Sequence, residues 1–121
     1  MRRNIAATAV ALGALVVAPV AVSQAVGAKT VKKTVKIGDN FFSPDSLKVP
    51  KGSKVTWRWP TNPGDVHDVY LRKGPKGVKK FHSDLAASGY SFARTLKKPG
   101  TYSVICTLHR SEMKMTIRVK R

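Results

Sequence analysis

The stretch Cys106-Thr107-Leu108-His109-Arg110-Ser111-Glu112-Met113 puts a thiol, an imidazole and a thioether within one short segment. All three are soft or borderline metal donors. Thiolate and thioether favour Cu(I), and imidazole serves both oxidation states of copper. A site mixing them can hold the ion in either state. Cys106 is the single cysteine of the chain, so it has no intramolecular disulfide partner. A buried cysteine can simply pack as a small apolar residue, but its position ahead of His109 and Met113 favours ligation. His67 is the fourth donor expected. Two histidines, one cysteine and a distant methionine form the trigonal copper set in which the axial thioether bond is long and weak. Met115 leaves a second thioether close by, so the axial donor stays open between Met113 and Met115, with Met113 preferred. His82, the third histidine, sits among Lys79, Lys80, Ser83 and Asp84 and reads as a surface residue.

Such donors must be carried by rigid elements, and the sequence pattern supplies strands. Apolar residues recur at every second position between turn signals, the period of a half-buried strand. Val31, Val35 and Ile37 alternate with Lys32, Thr34 and Lys36. Val55, Trp57 and Trp59 alternate with Lys54, Thr56 and Arg58. His67, Val69 and Leu71 share one expected face, with Asp68 and Tyr70 on the other. Tyr90, Phe92 and Leu96 suggest another strand. Tyr102, Val104 and Cys106 share a face of the next, and Met113, Met115, Ile117 and Val119 point inward from the last. Residues 40–44, Pro50-Lys51-Gly52 and Lys98-Pro99-Gly100 read as turns, and 81–89 as irregular. About seven short strands separated by turns predict an all-β sandwich. The 106–113 segment then becomes a tight turn between two adjacent strands, able to curl three donors about one point.

The matching stretches Phe42-Ser43-Pro44, Leu47-Lys48-Val49-Pro50-Lys51-Gly52, Val55-Thr56-Trp57, His67-Asp68-Val69, Lys98-Pro99-Gly100-Thr101-Tyr102 and Cys106-x-x-His109 with Met113 run through nearly all of residues 31–120. In this ordered combination the chain resembles the cupredoxins, in particular their plastocyanin and amicyanin branch. The resemblance implies a Greek-key β-sandwich of seven to eight strands, one-electron transfer, and copper ligands at His67, Cys106, His109 and Met113. Three positions depart from the family pattern. Asp68 stands where the family usually has the Asn that helps clamp the cysteine segment. Met115 stands where Gly is common, and Arg110 follows the second histidine where Pro or an apolar residue is frequent.

The chain has 121 residues, with 23 Lys and Arg against 6 Asp and Glu and a net charge of +17. That length suits one domain. Met1-Arg2-Arg3-Asn4 is a basic start, residues 5–22 are almost wholly apolar, and small residues follow up to Ala28. This is the order of a secretory signal peptide. Cleavage is expected after Ala28, with Ala25 as second choice, leaving a copper-binding domain over 29–121. Retention as an anchor is disfavoured, because a span needs roughly 20 apolar residues and Pro19 interrupts this one.

These features predict an extracytoplasmic type 1 copper protein carrying single electrons between redox partners. A copper carrier or scavenger without electron transfer is the alternative. A cationic module binding anionic polymer would account for the charge but not for Cys106. The cationic surface suits an acidic redox protein partner. The chain is expected to be monomeric, to bind no specific nucleic acid, and to meet a membrane only through its leader during export. No enzyme is expected: two of the three histidines are used, and no carboxylate pair or Ser-His-Asp arrangement stands out.

Overall fold

The computed structural model describes Gly13 and residues 29–121. The expected signal peptide therefore lies outside the described residues, Gly13 apart. Among those residues there is no helix, and so none long and apolar enough to cross a membrane. Eight strands form: β1 (Lys32–Gly38), β2 (Phe41–Ser43), β3 (Ser46–Pro50), β4 (Ser53–Arg58), β5 (Tyr70–Lys73), β6 (Ser91–Leu96), β7 (Gly100–Ile105) and β8 (Lys114–Lys120). They make two four-stranded sheets, β2-β1-β4-β6 and β3-β8-β7-β5. Few sheet neighbours are neighbours in sequence, so the chain crosses repeatedly between the layers in the Greek-key manner. Two pairs, β1 with β4 and β3 with β8, run parallel.

The alternation seen in sequence is what fills the space between the sheets. Val35, Ile37, Val55, Trp57, Val104, Ile117 and Val119 are buried, while Lys36, Lys54 and Arg118 between them face water. Trp57 is fully buried and packs between Phe81 and Phe92, with ring centroids 5.9 and 6.0 Å away. Removing so large a central ring costs about 3–5 kcal/mol. Turns obey the local chemistry. Gly52, between β3 and β4, has φ 86°, a left-handed conformation that costs glycine nothing.

Two local expectations are corrected. Residues 41–43 form β2, which pairs with the end of β1, rather than lying in a turn; the turn itself is shorter and is made by Asp39 and Asn40. The segment His67-Asp68-Val69 does not alternate as a strand. All three residues are buried, because the chain here is a connector held to residues 83–86 and β5 begins only at Tyr70. Asp68 turns inward since its carboxylate has partners there, which outweighs the period-two pattern.

Candidate metal centre

β7 and β8 are antiparallel and their last pair is Ile105 with Lys114, so residues 106–113 form the loop joining them. The loop is closed by its own backbone. Cys106 N–H donates to Met113 O at 2.9 Å, Met113 N–H to His109 O at 2.9 Å, and His109 N–H to Cys106 O at 3.2 Å. These bonds bring the backbones of Cys106, His109 and Met113 together, as the spacing suggested. Cys106 and Met113 are fully buried, and His109 is half-buried.

His67 arrives from the connector that leads into β5, the neighbour of β7 in the same sheet. It exchanges two backbone hydrogen bonds with Ala86, at 2.9 and 3.0 Å, and Val69 N–H donates to Ser83 Oγ at 2.8 Å. Its ring is 2% exposed. Cys106 Sγ lies 3.9 Å from His67 Nδ1 and 3.6 Å from His109 Nδ1, and the three donor atoms all fall within 4.8 Å of one another. Three ligands with bonds of roughly 2.0–2.3 Å, spread in a plane around one ion, sit about 3.5–4 Å apart. His67, Cys106 and His109 are therefore placed to hold one metal ion, and their soft and borderline donors suit copper.

The tautomer of His67 follows from its outer partner. Nε2 lies 3.0 Å from Asp39 Oδ1, so Nε2–H donates to the carboxylate and the Nδ1 lone pair faces Cys106. Asp39 is itself fixed. Its Oδ1 also accepts from Asp65 N–H at 3.0 Å, and a Cβ on Gly64 would stand 2.6 Å from that same oxygen. Asn40 makes the turn possible by adopting φ 68°, a region Asn tolerates. The His67 hydrogen bond, followed by that from Asp65, holds the Asp39 carboxyl below its ordinary value.

Asp68 performs the clamp that the sequence left in doubt. Oδ1 accepts from Thr107 N–H at 2.7 Å, and Oδ2 accepts from Thr107 Oγ at 2.6 Å and from His82 Nε2 at 2.7 Å. Burial alone would raise its carboxyl, but the bonds from His82 and Thr107 outweigh it and the net shift is downward. His82 is half-exposed, as expected of a surface histidine, yet it is tied to the buried carboxylate that holds the residue after Cys106. Burial pushes the Cys106 thiol above its ordinary value. Metal loading must therefore release its proton, because the thiolate is the ligand.

The two thioethers are separated by their neighbours. Met115 Sδ accepts from Trp57 Nε1 at 3.2 Å, inside the core and on β8. Met113 lies before β8, in the loop that carries Cys106 and His109. The roles of Asp39 and Thr107, and the tie of surface His82 to Asp68, escaped the sequence reading. Asp39 is 28 positions from His67, and no local pattern connects them. The one signal was Asp68 itself, an acid where the resembled family carries its clamping residue.

Residues 29–120 match the model of the copper binding proteins of the plastocyanin/azurin family. A halocyanin from Natronomonas pharaonis is 33% identical over 72 residues, which is 59% of this chain and 42% of that protein. A plastocyanin from Mercurialis perennis is 35% identical over 80 residues, 60% of this chain and 79% of that protein. Among solved structures, a copper-containing nitrite reductase from Thermus scotoductus superposes with TM-score 0.61 and 29% identity, over 74% of this chain but 22% of that one. A pseudoazurin from Sinorhizobium (TM-score 0.63, 22% identity, 76% of each chain) and a reduced amicyanin variant (TM-score 0.62, 24% identity, 74% and 82%) share the fold.

Proposed function

The chain belongs to the plastocyanin/azurin family of copper-binding proteins, and we propose that it is an exported carrier of single electrons rather than an enzyme. In this reading residues 1–28 are a removed leader and 29–121 work outside the cytoplasm as a monomer. His67, Cys106 and His109 would hold the copper ion, with Met113 as a further, weaker ligand. The observation that carries the reading is the trio of donor atoms within 4.8 Å, drawn from two separate parts of the chain. Met113 is preferred over Met115 because the latter's sulfur is already engaged by Trp57.

Copper, when bound, supplies a one-electron couple between Cu(I) and Cu(II). The protein's part is to hold the donors still. Paired backbone fixes His67, Asp39 fixes its tautomer, and Asp68 fixes Thr107 beside Cys106. Donors that move little between oxidation states keep the reorganisation cost of electron exchange low. Half-buried His109 is the more exposed of the two ring donors, next in the chain to exposed Leu108. The remaining positive charge suits an acidic redox protein partner.

Voltammetry with electron self-exchange measurements tests the proposal. A reversible one-electron couple with fast exchange is expected. A tightly held ion with no reversible couple would make the protein a copper store instead.

A further inference from the structure

The charges of the described chain are not spread evenly. Of the six acids, Asp39, Asp65, Asp68, Asp84 and Glu112 all lie on the loops and connectors around the metal centre; Asp45 alone is elsewhere, before β3. Away from that end, the 77–82 segment and the end of β6 with its following turn enclose a groove of about 630 Å³. Its walls carry Lys79, Lys80, Arg94, Lys97 and Lys98, and no carboxylate lines it. Its lining also includes the apolar Val78, Phe81, Leu96 and Tyr102.

Several of these cations are held in place. Arg94 stacks on Phe92, 4.2 Å from the ring centroid, and donates to Ala93 O at 2.7 Å. Lys98 Nζ donates to Lys76 O at 3.4 Å, and Lys80 lies over the Tyr70 ring at 5.8 Å. Tyr102 OH donates to Lys98 O at 2.7 Å and fixes the turn that bears Lys97 and Lys98. Cations already ordered lose less freedom when a partner arrives. His82 also lines the groove, and through Asp68 it is hydrogen-bonded to Thr107, the neighbour of Cys106.

We infer that this groove, rather than the metal end, is where the acidic partner docks, taking a protein segment that bears carboxylates and an apolar side chain. The inference rests on the electron-carrier reading for the partner's redox role. Around His67 and His109 the exposed acids Asp39, Asp65, Asp84 and Glu112 outnumber the exposed Arg110 and disfavour an acidic surface there, whereas the groove offers five cations, no carboxylate and an apolar lining. Its volume is in the range of sites that take an organic group such as a side chain rather than a single ion.

The test is an NMR titration of the Cu(I)-loaded protein with an oligo-glutamate peptide containing one phenylalanine. Shifts are expected in residues 77–82 and 94–98. The double variant Lys79→Glu/Lys97→Glu should weaken binding about tenfold, from the loss of two contacts and new repulsion. Lys33→Glu/Lys48→Glu, with the same net charge on distant strands, should weaken it about twofold at most. Equal effects of the two variants, or shifts centred on Leu108 and His109, would overturn the assignment. Tighter binding of polyphosphate than of the peptide would also overturn it, in favour of an anionic polymer. Voltammetry and self-exchange report separately on the electron-carrier reading, so loss of the reversible couple and a misplaced peptide are distinct failures.

Discussion

The two walls of the metal pocket are built on different principles. The Cys106–Met113 wall is local: four backbone hydrogen bonds, one from Glu112 N–H to His109 O among them, close the loop on itself. The His67 wall is assembled from afar. Ala86 pairs its backbone, Asp39 holds its ring, and Ser83 pins its neighbour Val69. A local wall can be read from spacing and tolerates a half-exposed ligand. A tertiary wall buries its ligand and depends on partners that sequence proximity never reveals.

Cys106→Ser gives the largest effect. It removes the thiolate responsible for intense visible absorption, so the Cu(II) protein should be colourless by absorbance spectroscopy. His67→Gly and His109→Gly sharpen the contrast between the walls. Added imidazole should restore the absorbance of His109→Gly, whose site opens to solvent, and fail to restore it in His67→Gly, whose ring is 2% exposed.

The link between the walls is Asp68. Asp68→Ala leaves the Thr107 N–H and hydroxyl without their acceptor, and should cost about 1–3 kcal/mol in denaturant unfolding of the metal-free protein. Asp68→Asn keeps an acceptor for the Thr107 N–H and should cost less. The pH dependence separates both variants from the wild type, because neither carries the titrating carboxyl. The Asp68 carboxyl is depressed in the folded state. Its contribution is thus fully present above the unfolded carboxylate value of about 3.9, and is lost as pH falls through the lower folded value. Acid unfolding should be shallower in Asp68→Asn; identical profiles would show that Asp68 contributes nothing of this kind.

Much of the fold was legible because burial on one face writes a period of two into the sequence. β1, β4, β6, β7 and β8 appeared near their expected places for that reason. β2 was hidden inside Phe41-Phe42-Ser43, too short to show alternation, and the His67 connector was misread as a strand because apolar residues flank it. Of the site, Cys106 and His109 were visible through spacing, which also made Met113 a candidate. His67 was supported mainly by resemblance. The partners of Asp39 and of surface His82 were invisible, because they are set by how the chain crosses between sheets.

The two methionines give the smallest spectral effects and the finest contrast. Met113→Leu should keep the copper and its colour while raising the reduction potential, since losing a donor disfavours Cu(II). Met115→Leu should leave the potential unmoved but strand the buried Trp57 N–H, a stability loss of about 1–3 kcal/mol. The reverse pattern would assign the axial thioether to Met115.

The most direct test of the central claim is titration of the metal-free protein with Cu(II), followed by visible absorption. Intense blue absorbance that saturates at one ion per chain is the predicted result. Copper binding with only the faint colour of nitrogen and oxygen ligands would contradict it, because Cys106 would then not be bonded to the metal.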